Sequence, residues 1–214
     1  MILSCISYKG GVGKSTLSQN LAVCLAHAGE KVCIIDADES QNTAYWQDAR
    51  SEELPTVQVV KLVNDKTIAI EASKLYKTYD YLIIDSPPSQ SVIADKIIML
   101  SHMVLVPVTP KGSSEINTAE QFLLQVQNLE VLKEKKIPTF FVINEFDSRP
   151  ILHKQFVERF KEFTAPPLHT MIHQRVAYGE ANLLGKGVLE HSDAKARKEV
   201  IQLYNEIMDL SDKL

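Results

Sequence analysis

Lys9-Gly10-Gly11-Val12-Gly13-Lys14-Ser15-Thr16 decides how this chain of 214 residues is to be read. The apolar run Ile2-Leu3-Ser4-Cys5-Ile6-Ser7 before it reads as a buried strand, and Thr16 to Ala28 after it repeats Leu17, Leu21 and Leu25 at helical spacing. A glycine-rich turn between a strand and a helix is the setting of a phosphate-binding loop. Glycines let backbone N–H groups converge on phosphate oxygens with no Cβ in the way, and the following helix N-terminus adds partial positive charge. The cradle predicted here is Gly10, Gly11, Val12, Gly13 and Thr16, with Lys14 reaching the β- and γ-phosphates of a nucleotide and the Ser15 hydroxyl placed to ligate Mg2+.

The loop departs from the ordinary G-x-x-x-x-G-K-[ST] pattern, because Tyr8 occupies the first glycine position and Lys9 follows it. Phosphate binding alone does not call for that second lysine. The pattern K-G-G-x-G-K-[ST] resembles the deviant Walker A motif of the ParA/MinD ATPases. The resemblance implies a doubly wound, mostly parallel α/β sheet, ATP with Mg2+ as cofactors, and a Lys9 that crosses a dimer interface to touch the partner's nucleotide.

Two further motifs fall in the family's order at the ends of apolar runs, where open parallel sheets bind ligands. Asp36-Ala37-Asp38 follows Val32-Cys33-Ile34-Ile35 and resembles switch I, which gives Asp38 the role of positioning the attacking water beside the metal. Asp85-Ser86-Pro87-Pro88 follows Tyr81-Leu82-Ile83-Ile84 and resembles Walker B and switch II, which gives Asp85 the role of holding Mg2+ through water. The implied catalytic set is Lys9, Lys14, Asp38 and Asp85, and the implied metal set is Ser15, Asp38 and Asp85. Phosphoryl transfer needs mainly positioning and charge neutralisation, so these groups suffice for slow hydrolysis. Glu39-Ser40 stands where the family usually has Pro-Gln, a change expected to loosen switch I.

The rest of the chain alternates strand and helix patterns: strands near 57–61, 104–108 and 139–144, and helices near 67–75, 92–100, 113–132 and 151–163. No linker or repeat interrupts them, so residues 1–214 are expected to form a single domain with no room for an N-terminal helix-turn-helix. Resemblance extends to Ile172–Ala181 and Gly185–Glu190, which look like the C-terminal part of plasmid partition ATPases, and to the placement of Trp46 after switch I. Asn144 at a strand end is a candidate adenine contact, with Met171 or Ile172 packing on the ring.

Composition fits a globular domain, with 45% hydrophobic residues, no apolar run near a membrane span and no signal peptide, so a cytoplasmic protein is expected. Cys5, Cys24 and Cys33 lie within strand or helix patterns and lack metal-ligand spacing, which makes them core residues and weakens an iron–sulfur reading.

Net charge is −4, yet residues 149–198 hold nine Lys/Arg against five Asp/Glu, leaving −8 elsewhere. A basic face of this kind binds nucleic-acid phosphates without reading sequence. Arg175, Lys186, Lys195, Arg197 and Lys198 are the candidates, because they lie in the segment resembling the DNA-binding side of partition ATPases. The last helix, about 194–210, carries a broad apolar stripe flanked by Glu206, Asp209 and Asp212, which favours packing on the domain over lying on anionic lipid.

The resemblance therefore points to a nucleoid-associated ATPase that dimerises with ATP and binds DNA nonspecifically. Hydrolysis would be stimulated by a cargo-bound, ParB-like adaptor during segregation or positioning of plasmid, chromosome or other cargo. A membrane-surface positioning ATPase of MinD type and a metabolic P-loop ligase are the alternatives.

Overall fold

Strands buried on both faces need helices above and below them, and the chain supplies both layers. The computed structural model describes residues 1–214. In order the elements are β1 (Ile2–Cys5), α1 (Lys14–His27), β2 (Val32–Asp36), α2 (Asn42–Asp48), β3 (Gln58–Lys61), α3 (Ile68–Leu75), β4 (Tyr81–Asp85) and α4 (Val92–Leu100). They continue with β5 (Met103–Val108), α5 (Ser113–Lys133), β6 (Thr139–Ile143), α6 (Ile151–Phe160), α7 (Val176–Leu183), a 3-10 turn (Val188–Glu190) and α8 (Ala194–Ser211). All strand pairs are parallel, in the order β3-β2-β4-β1-β5-β6.

Side-chain alternation along the strands divides the core in two. Ile2, Cys33, Ile35, Leu82 and Ile84 pack with α3, α4, α5 and α6 on one face. Leu3, Cys5, Ile34, Ile83 and Leu105 pack with α1, α2, α7 and α8 on the other. Ala196, Val200, Leu203 and Ile207 of α8 belong to that second core, so its apolar stripe is covered by the sheet and α1. All three cysteines are buried free thiols, each pushed up to about 12 by burial. No helix is long and apolar enough to cross a membrane.

Register brings the chemistry together. Cys5 at the end of β1 pairs with Asp85 at the end of β4, which pairs in turn with Asp36 at the end of β2. The three loops that follow therefore open at one edge of the sheet, the carboxyl edge where such folds bind ligands.

The expected elements are present with shifted ends: β1 stops at Cys5 rather than Ser7, α1 starts at Lys14 rather than Thr16, and α6 ends at Phe160. Three elements go beyond the expectation, namely α2, α7 and the 3-10 turn. Each is short and carries only one or two turns of apolar spacing, too little for periodicity to mark it.

Candidate nucleotide site

The loop between β1 and α1 owes its shape to two glycines in the left-handed region, Gly11 at φ 69° and Gly13 at φ 92°. A Cβ on Gly13 would also lie 2.2 Å from Asn144 Nδ2, so a side chain there would strain the backbone and displace the Asn144 amide. The Lys14 ammonium donates to the Lys9 carbonyl at 3.0 Å and closes the loop on itself. Burial lowers the pKa of Lys14, while the nearby Asp85 and Asp38 carboxylates work against that shift. The loop forms one wall of a cleft of about 520 Å3; Asp38 and Ser40 form a second wall, and Tyr178, Gly179 and Asn182 of α7 a third.

Asp85 is 1% exposed. Its Oδ2 accepts from the Thr43 hydroxyl at 2.7 Å, and its Oδ1 has no partner. Burial pushes this carboxyl up to about 7, opposed by the Thr43 and Ser15 hydroxyls and by Lys14. A buried carboxyl oxygen without a partner, beside Ser15 and Lys14, fits a hydrated Mg2+ next to a nucleotide phosphate. Asp38 is half-buried, and its Oδ1 accepts the Ser40 N–H at 2.9 Å. This Asx turn braces the backbone at Glu39-Ser40, where a proline would otherwise fix φ. Asp36, the unassigned aspartate of the same motif, accepts Asp38 N–H at 3.2 Å and Ala44 N–H at 3.0 Å and so ties α2 to the sheet.

Lys9 sits on the rim with its side chain 41% exposed. Its ammonium donates to Ser114 Oγ at 2.8 Å and lies 3.6 Å from Glu115 Oε1 at the start of α5. Asn144 Nδ2 donates to the Val12 carbonyl at 2.8 Å, so this amide nitrogen supports the loop. Asn144 and Ile172 line an apolar slot with Thr16 and Tyr178. Met171 packs against the opposite core, away from that slot.

Sequence reasoning missed three polar residues, two that line the cleft, Gln19 and Asn182, and one buried behind it, Thr43. Asn182 Nδ2 donates to Gln19 Oε1 at 2.8 Å, and Gln19 Nε2 donates to Thr43 Oγ1 at 3.2 Å. They come from three helices, and only the nearness of Thr43 to Asp38 could have hinted at one of them.

The five basic candidates separate. Lys195 and Lys198 are exposed on the first turns of α8 and, with Arg175, border a shallow basin that also includes His169 and His173. Arg175 donates through Nε and Nη2 to Glu199, so its charge is already matched. Arg197 is exposed and donates to the His191 carbonyl at 2.6 Å. Lys186 lies apart, between α7 and the 3-10 turn, where its carbonyl accepts from Trp46 Nε1 at 3.1 Å.

A buried ionic hub adjoins Lys186. Arg50 donates to the two Glu190 oxygens at 2.7 and 2.9 Å, with the side chains 5% and 3% exposed, and also to the Gly185 and Pro55 carbonyls. His27 Nε2 lies 2.8 Å from Glu190 Oε1. Burial alone would raise the Glu190 pKa, but Arg50 and His27 outweigh it and hold the carboxyl below its usual range.

Sequence and fold comparisons agree with this geometry. The chain is 26% identical over 210 residues to "Maintenance of carboxysome distribution protein A" of Halothiobacillus neapolitanus, covering 96% of this chain and 95% of that protein. It is 24% identical to "Sporulation initiation inhibitor protein Soj" of Bacillus subtilis, covering 93% and 94%. The solved structure of apo McdA from Cyanothece superposes with a TM-score of 0.81 at 19% identity, covering 96% of this chain and 98% of that one. Residues 3–188, from the first strand through the loop, both strand-end aspartates and α7, match the CobQ/CobB/MinD/ParA nucleotide binding domain, and the chain belongs to that family.

Proposed function

We propose that this chain is a ParA-type ATPase that binds ATP with Mg2+, forms a nucleotide-sandwich dimer, holds DNA nonspecifically in that state, and positions a cargo whose adaptor stimulates hydrolysis. The observation that carries the reading is Lys9. It stands beside a cleft lined by Lys14, Ser15 and Asp38, with the Asp85 carboxyl buried behind it, where a second subunit's nucleotide would be within reach. Tyr45 of α2 and Val176 and Leu183 of α7, on two helices that border the cleft, are exposed apolar side chains that a dimer would cover.

In this mechanism Lys14 and the loop N–H groups would neutralise the β- and γ-phosphates, Asp38 would orient water, and Asp85 with Ser15 would hold Mg2+, whose charge would offset that of the phosphoryl oxygens. Adenine enters beside Asn144 and Ile172. Lys195 and Lys198 supply the free cations of the DNA face, with Arg175 beside them and Arg197 on the same helix turn, Lys186 adds a separate contact, and a dimer doubles their number. The burial of the apolar stripe of α8 favours this reading over a membrane-surface one.

Binding to random-sequence duplex DNA tests the proposal, at several salt concentrations, with ATP, with ADP and without nucleotide, for wild type and Lys9→Ala. Salt-sensitive binding with ATP alone, lost in Lys9→Ala, is the expected result. Equal binding in all nucleotide states, or none in any, overturns the DNA part of the reading.

A further inference from the structure

We propose that Asn182, Gln19 and Thr43 form a one-way chain of hydrogen bonds that positions Asp85 for the metal, making these three residues, from three different helices, positioning residues of the nucleotide site. The inference rests on the reading of the cleft as an ATP and Mg2+ site and deepens it.

Direction follows from chemistry rather than from the placement of hydrogens. Ionised, as it must be to hold a metal, the Asp85 carboxylate only accepts, so the single Thr43 proton then points at Oδ2, 2.7 Å away. The Thr43 oxygen then has only lone pairs left for Gln19, so the Gln19 amide must turn its nitrogen toward Thr43, at 3.2 Å. That turns the Gln19 oxygen toward Asn182, which must donate, at 2.8 Å. Gln19 and Thr43 are buried, while Asn182 borders the cleft itself.

The result is a carboxylate with one oxygen fixed and the other, Oδ1, without a partner. Rotating Asp85 away would leave the buried Thr43 hydroxyl with no acceptor, so the chain penalises every orientation but one. Second-layer partners of this kind set the orientation and basicity of metal ligands. A serine in place of Thr43 keeps the hydroxyl, whereas a valine keeps the shape and removes the donor.

The test is binding of a fluorescent ATP analogue as Mg2+ is titrated, alongside thermal melting of each variant. Thr43→Val is expected to raise the Mg2+ concentration at half-effect by roughly tenfold, the low end of losses seen for second-layer partners. Thr43→Ser should restore it to within about twofold, and Asn182→Ala, at the cleft edge, should shift it about threefold while melting as wild type does. Metal-free nucleotide binding should stay the same in Thr43→Val and Thr43→Ser. A Thr43→Val protein with the wild-type Mg2+ midpoint, or a Thr43→Ser protein as impaired as Thr43→Val, overturns the chain. Wild-type binding that ignores Mg2+ overturns the reading of the cleft itself, and the chain with it.

Discussion

Strands β2 and β4 lie side by side and end on aspartates in matched register, Asp36 and Asp85, each 1% exposed. At the end of β2 both carboxylate oxygens accept backbone N–H groups from the segment that follows, and the side chain becomes part of the scaffold. At the end of β4 one oxygen takes the Thr43 hydroxyl and the other takes nothing. The same residue with the same burial is thus structural where its bonding capacity is filled and free to take a ligand where it is not. The unfilled one carries a cost, since burying a carboxyl oxygen without a partner opposes folding.

The largest effect that sharpens this contrast is Asp85→Asn, for which ATP turnover should fall about 100-fold or more while nucleotide-free protein melts no lower than wild type. Next comes Asp36→Asn, which leaves one backbone N–H without its acceptor. It should cost about 1–3 kcal/mol, or about 2–4 °C of melting temperature per kcal/mol for a chain of this size. Equal loss of turnover at both positions with no change in melting would break the distinction.

A third effect is visible in pH. Burial raises Asp85 in the fold above its unfolded value, so its contribution to stability is full below the unfolded pKa and is lost as pH rises through about 7. Metal-free Asp85→Asn should therefore outlast wild type at pH 8, with the difference fading toward pH 4. A wild-type slope that survives unchanged in Asp85→Asn would assign it to Asp36, which burial also raises.

The smallest effect carries the same contrast to the basic face, where Arg175 is matched by Glu199 and Lys198 has no acidic partner. Lys198→Ala should reduce the salt slope of DNA binding by about 1 per subunit. Arg175→Ala should change that slope by less, and the reverse order would mean that Glu199 releases Arg175 on DNA.

What the sequence made legible was local. The loop from Lys9 to Thr16, its strand and its helix lie within thirty residues, and glycine, lysine and serine at fixed spacing carry their meaning with them. Asp38 and Asp85 were legible because each ends an apolar run. Thr43, Gln19 and Asn182 were not, because the chain they form joins residues 42, 24 and 163 positions apart and no single stretch contains two of its links. Arg175 was legible as a cation but not as a neutralised one, since Glu199 reaches it only once α8 is packed on the second core. Of α2, a left-handed Gln41 at its start and a core contribution from only Ala44 and Trp46 left too little pattern to find.

The hub joining Arg50 to Glu190 has a consequence for how the molecule is made. Synthesis proceeds from the N-terminus, and Arg50 must wait 140 residues for the carboxylate that satisfies it. Until then α2, which supplies Thr43 and follows Asp38, lacks the anchor that binds its far end to the turn before α8. A nascent or truncated chain therefore carries a complete phosphate loop while the segment after Asp38 lacks its far anchor until Glu190 has left the ribosome.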